Sequence, residues 1–98
     1  MDIKVHAVHF KADQKLIDFV QEKVNKLQLF LDNIIVGEVF LRLDKNVDQE
    51  NKIAEVKIMI PGKELFAKKQ CKTFEEAADL CVGAIETQLK KHKGKLAS

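Results

Sequence analysis

Two periodicities alternate along the chain and divide it into six elements. From Ile3 to His9 every second residue is apolar, with Ile3, Val5 and Ala7 alternating against Lys4 and His6. A period of two is that of a half-buried strand. The spacing then lengthens. Leu16, Val20, Val24, Leu27 and Leu31 share one helical face, which predicts a helix from Gln14 to Phe30 with Asp13 as its N-cap. Alternation returns from Ile35 to Leu43, with Val39, Leu41 and Leu43 inward and Glu38, Phe40 and Arg42 outward. It continues from Ile53 to Ile60, where Ala54, Val56, Ile58 and Ile60 share a side. The polar stretch from Asp44 to Lys52 reads as the hairpin loop between these strands. Pro61-Gly62 is a turn signal, and Glu64 to Cys71 is a fourth strand that alternates less cleanly. Thr73, with Glu76 three residues on, opens a second helix in the capping-box pattern. Phe74, Ala77, Ala78, Cys81, Val82, Ile85 and Leu89 form its apolar stripe, and Gly94 is its predicted stop.

The resulting order is β-α-β-β-β-α. Each strand has one apolar and one wetter face, and two amphipathic helices supply a cover. The predicted class is α+β, a two-layer sandwich with both helices side by side on one face of a four-stranded sheet. Ninety-eight residues make one domain with a single core. An apolar content of 46% supports a packed interior and excludes disorder.

The net charge is only +2, so a polyanion-binding surface requires an uneven spread of charge. The C-terminal stretch provides one. Lys90, Lys91, Lys93 and Lys95 surround His92, and no acid follows Glu86. Lysines at a helix end complement its dipole, and they also attract polyanions, RNA above all. Arg42 is the sole arginine. Lysine lacks arginine's bidentate reading of base edges, which favours recognition of backbone and shape.

On the first helix Lys15 and Lys26 project about 20° apart at 100° per residue. Lys23 falls at the edge of the apolar arc, near Phe19 and Phe30, and must snorkel outward. On the second helix Lys90 is partly answered by Glu86, four residues before it. Lys91 shares a face with Leu80, Ala84 and Thr87, and Lys95 extends that face. His92 continues the direction of Phe74 and Leu89 and caps the core. Lys68, Lys69 and Lys72 add charge where the fourth strand enters the helix. With the helices side by side, these lysines are expected to form one positive platform.

Other classes find little support. His6 and His9 point to opposite sides of a strand and make a poor metal pair. No Gly-rich phosphate loop or HExxH motif occurs, and the carboxylates are scattered, so no enzyme is expected. Cys71 and Cys81 read as buried reduced thiols suited to a reducing cytosol. The chain starts directly in a strand pattern without a signal peptide, and no apolar run approaches a membrane span. The expectation is a cytoplasmic protein with no cofactor, no small-molecule substrate and no membrane partner. Phe40, Met59 and Phe66 on the open sheet face leave a protein-interaction module as a competing reading. A general double-stranded RNA binder is another.

Two segments carry a family resemblance: KVHAVHFKADQKLIDFVQEKVNKLQLFLDNI and KTFEEAADLCVGAIETQLKKHKGKL. They resemble the short ribosome hibernation promoting factors over nearly the whole chain, most specifically in QLKKHKGKL and in the Lys23 and Lys26 pair. The resemblance implies a fold like the double-stranded RNA-binding domain. It implies binding to small-subunit rRNA in the channel used by messenger and transfer RNA, with idle ribosomes stored, often as dimers. The matching positions are Lys23 and Lys26 on the first helix, and Lys91, Lys93 and Lys95 with His92 between them. Relatives carry basic residues where this chain has Ala84 and Thr87, and Lys69 and Lys72 are candidates to compensate. Longer members append a domain that pairs two ribosomes. A chain ending at Ser98 is expected either to silence single ribosomes or to need a separate dimerising factor.

Overall fold

The computed structural model describes residues 1–97, with side chains described as far as His92. Its elements are β1 (Asp2–Ala7), α1 (Gln14–Asn25), a short 3-10 helix (Lys26–Leu29), β2 (Val36–Leu43), β3 (Lys52–Ile60), β4 (Lys63–Cys71) and α2 (Phe74–Ala97). The sheet order is β1-β2-β3-β4. β1 runs parallel to β2, and the remaining pairs are antiparallel. A parallel pair needs a crossover, and α1 supplies it. The predicted α+β sandwich is therefore the observed one, with a mixed sheet.

Alternation decides which sheet face is covered. Val39 and Leu41 on β2, Ala54, Val56, Ile58 and Ile60 on β3, and Leu65 and Ala67 on β4 are all buried. Val20 and Val24 of α1, Leu27 beyond it, and the α2 stripe from Phe74 to Leu89 close over them. α1 lies toward β1, whereas α2 lies over β3 and β4. Phe10 and Phe74 stack with ring centroids 5.0 Å apart, closing the end where α2 begins. The N-caps form as expected. Asp13 accepts from the Leu16 amide at 2.8 Å, and Thr73 Oγ1 accepts from the Glu76 amide at 3.1 Å.

Three boundaries and one burial differ from the sequence expectations. β1 ends at Ala7, short of the expected His9, which leaves the extended region with φ 62. The first helix changes to 3-10 geometry at Lys26 before reaching Phe30. Tightening its last turn satisfies carbonyls that a helix end leaves free, as in the Phe30 amide donating to Leu27 at 3.0 Å. Leu43, expected inward, is 39% exposed, because it ends β2 beyond the helical cover. Gly94 does not stop α2, which continues to Ala97. One interior glycine costs about 1 kcal/mol, and the lysines, leucine and alanine around it are strong helix formers.

Two other glycines have clear internal reasons. Gly62 takes φ +76 in the Pro61-Gly62 turn between β3 and β4. Gly37 lies where α1 presses on β2, and a Cβ there would stand 3.1 Å from Met1 Sδ, 3.2 Å from Val24 Cγ1 and 3.3 Å from Ile58 Cδ1. Val24 is stiff within its helix, so the added methyl is met from several sides at once. Gly37→Ala should lower stability by about 1–3 kcal/mol in urea unfolding, the range for overpacking a core. An unchanged midpoint would show that the α1–β2 contact is looser than this geometry.

Candidate nucleic-acid interface

The cationic residues divide by the layer that carries them. Lys23 and Lys26 leave α1 on the side facing α2, and Lys23 reaches Asp79 of α2 with Nζ–Oδ1 at 3.1 Å. Its ammonium also lies 5.5 Å from the centroid of the Phe19 ring. The side chain is 30% exposed, so its stem covers apolar surface while its head reaches water. Lys26 is exposed at the start of the 3-10 helix.

Lys69 comes from the far side of α2. By alternation it belongs with Leu65, Ala67 and Cys71 on the covered face, and it pairs across the ladder with buried Ala54. It is nevertheless exposed, because β4 is the edge strand and Lys69 passes the shoulder of α2 into solvent. This position accounts for the uneven alternation of the fourth strand. Lys23, Lys26 and Lys69 line one groove of about 640 Å³, together with Asp79, Gly83 and Thr87.

The other expected residues are spread along α2. Lys90 lies over the Phe30 ring at 5.3 Å and extends the cationic side next to α1. Lys91 is exposed and His92 is half-buried, consistent with a role at the end of the core. Lys93 and Lys95 lie in the last turns of α2, and their side chains fall outside the described residues. Lys72 is exposed at the opposite end, before the first turn with its acids Glu75 and Glu76. Eighteen positions separate Lys72 from Lys90, about 27 Å along a helix axis. The lysines therefore form a groove and a helix end, with Lys72 apart from both.

The open sheet face is differently built. His6 stacks on Phe40 with centroids 4.9 Å apart, and Arg42 and Lys57 approach the same ring at 5.7 and 5.9 Å. Glu55 accepts from Arg42 Nε at 3.1 Å, and Glu38 pairs with His6 at 3.0 Å. His6 and Arg42 are thus answered by acids, whereas Lys4, Lys57 and Lys68 of the same face hold no ion pair among the described residues, and Met59 and Phe66 are exposed at its margin. Among the described residues, no three or more His, Cys, Asp or Glu side chains gather to hold a metal, and no helix is long and apolar enough to cross a membrane.

Asp79 and Gly83 escaped the sequence reading. Asp79 joins the site because α1 and α2 lie together, a contact that no local pattern reveals. Gly83 left a visible signal, a glycine inside a strong helical stripe.

Both thiols are free and buried. Cys81 Sγ donates to the Ala54 carbonyl at 3.1 Å, and burial pushes its pKa up to about 11. A thiol that ionises less readily when folded stabilises the protein fully below its unfolded pKa, and that contribution is lost as pH rises through the folded value. Stability should fall between about pH 9 and 11, and Cys81→Ala should flatten that fall in denaturation series. An identical pH profile for both proteins would remove Cys81 as the cause.

Comparison with known proteins gives the family. The family model described as Sigma 54 modulation protein / S30EA ribosomal protein matches residues 3–97. A ribosome hibernation promoting factor of Pseudomonas putida is 30% identical over 98 residues, covering 100% of this chain and 92% of the relative. A ribosome hibernation promotion factor of Bacillus subtilis is 27% identical over 96 residues, covering 98% of this chain and 50% of that longer protein. A ribosomal subunit interface protein from Coxiella burnetii has the same fold, with TM-score 0.85 at 22% identity over 96% of this chain and 99% of the other. The N-terminal domain of Protein Y from Thermus thermophilus gives TM-score 0.82 at 24% identity, covering 94% of this chain and 99% of that domain. The chain belongs to the Sigma 54 modulation protein / S30EA ribosomal protein family, the family of the ribosome hibernation promoting factors.

Proposed function

We propose that this protein is a ribosome hibernation factor that seats its helical layer on small-subunit rRNA. There it occupies the channel of messenger and transfer RNA and keeps idle ribosomes out of translation in the cytoplasm. The observation that carries this reading is the charge layout of the helical layer. Lys26, Lys69 and Lys91 are exposed there, and among the described residues Lys23 is the one lysine held in an ion pair. Family membership over residues 3–97 supports the same reading.

The mechanism is occupancy, without bond making or breaking. Lysines displace counterions from rRNA phosphates, so affinity falls with salt. Selectivity comes from the shape of a fixed RNA cavity, because A-form grooves present little sequence to side chains. The seated body then excludes the channel's normal occupants.

Co-sedimentation with purified ribosomes through sucrose gradients tests this directly. The protein should travel with the small subunit or whole ribosome at low salt. Lys26→Ala/Lys91→Ala should weaken binding and flatten the salt dependence by about two counterions, one per lysine. Protein left at the top of the gradient at every salt would refute the proposal. Equal affinity for free RNA duplexes would favour a general double-stranded RNA binder, and salt-insensitive binding would favour the open sheet face.

Asp79 opposes the same binding. It holds Lys23 in the free protein and places a carboxylate among the cations. Asp79→Asn should therefore tighten subunit binding and steepen its salt dependence by up to about one counterion in equilibrium titrations at several salt concentrations. Weaker binding would mean that the pair itself holds Lys23 in its productive position.

A further inference from the structure

Gly83 has no internal reason to be glycine. It is exposed in the middle of α2, where glycine weakens a helix relative to alanine. Beyond its own helix backbone and chain neighbours, a Cβ built there would meet no atom within 4 Å, in contrast to the crowded Gly37. Its backbone lacks the positive φ that makes Gly62 necessary. Neither packing nor conformation explains the residue. What its missing side chain provides is access to the helix backbone from outside.

The surroundings indicate what comes that close. Half-buried Ala84 keeps the adjacent floor low, and the exposed Thr87 is short, its hydroxyl donating back to the Gly83 carbonyl at 3.2 Å. The groove passes over α2 from the side of α1 to the side of β4, because Lys23 and Lys26 line one flank and Lys69 the other. Its carboxylates, Asp79 and Glu86, lie on the α1 flank. Asp79 is bound there by Lys23, and Glu86 follows it by seven residues, about 20° around the helix. Among the described residues, no carboxylate lining the groove accompanies Lys69. A slender anionic chain crossing the helix would therefore find a cation on each side and bare backbone between them.

We infer that Gly83 is the point where a ribose-phosphate strand crosses α2, with Lys26 and Lys69 neutralising phosphates on opposite flanks of the helix. This rests on the ribosome-binding reading and adds where the strand lies and what admits it. It also gives Lys69 the task of supplying charge beside Ala84 and Thr87, which have none. The crossing depends on shape as much as charge, so bulk at position 83 must obstruct it without disturbing the fold.

The test is equilibrium binding to purified small ribosomal subunits at several salt concentrations, with thermal unfolding of each variant. Gly83→Leu replaces an exposed helical glycine by a strong helix former. It should raise the melting temperature and yet weaken subunit binding by roughly tenfold or more, as expected for obstruction within an interface. Lys69→Ala should weaken binding and flatten the salt dependence by about one counterion. Wild-type affinity in Gly83→Leu, beside a loss in Lys26→Ala/Lys91→Ala, would overturn the crossing while leaving the ribosome reading intact. A lowered melting temperature in Gly83→Leu would also overturn it, by giving the glycine an internal role. Failure of the wild-type protein to bind subunits would remove both.

Discussion

The structure depends on burying the stripe of α2, from Phe74 to Leu89, against the inner faces of β3 and β4. The small residues in that stripe let the helix approach closely enough for the Cys81 thiol to reach the Ala54 carbonyl at 3.1 Å. Once this face is committed, the rest of the helix has little freedom. Its acids face outward over the first half, and its lysines follow over the second, as the helix dipole favours. Stability and the electrostatic surface therefore come from one amphipathic pattern.

The second helix of the layer adds what α2 lacks. α1 crosses from β1 to β2 and rests on Gly37, so its distance from the sheet is set by a residue without a side chain. That placement brings Lys23 to Asp79 and leaves Lys26 free at the margin of the groove. Lys69 reaches the same groove because β4 is an edge strand. Three separate pieces of chain thus contribute to one polar surface, whereas the opposite sheet face gathers His6, Arg42 and Lys57 around Phe40 and pairs the first two with Glu38 and Glu55.

Much of this was legible in the sequence, because period and capping are local properties. The six elements, both N-caps, the buried valines and the two buried thiols follow from patterns only a few residues long. What stayed hidden depends on neighbours in space. The Lys23–Asp79 pair needs the apposition of two helices, and the exposure of Lys69 needs the sheet order that makes β4 an edge. Gly94 misled because a glycine stops a helix only when the chain takes up a cap geometry there. Here the helix formers around it carry the helix through. Gly83 was visible as an irregularity, but its consequence appears only once the groove above it is known.

The central claim is that the helical layer, and not the sheet, faces rRNA. Because Cys71 and Cys81 are buried, a cysteine introduced at exposed Leu80 or at Lys57 on the sheet can be tethered selectively to an iron chelate for hydroxyl-radical cleavage of bound ribosomes. The account predicts strong, localised cuts in small-subunit rRNA from position 80 and few from position 57. Cuts concentrated at position 57, or no rRNA cleavage from position 80 in a complex shown to form, would contradict it.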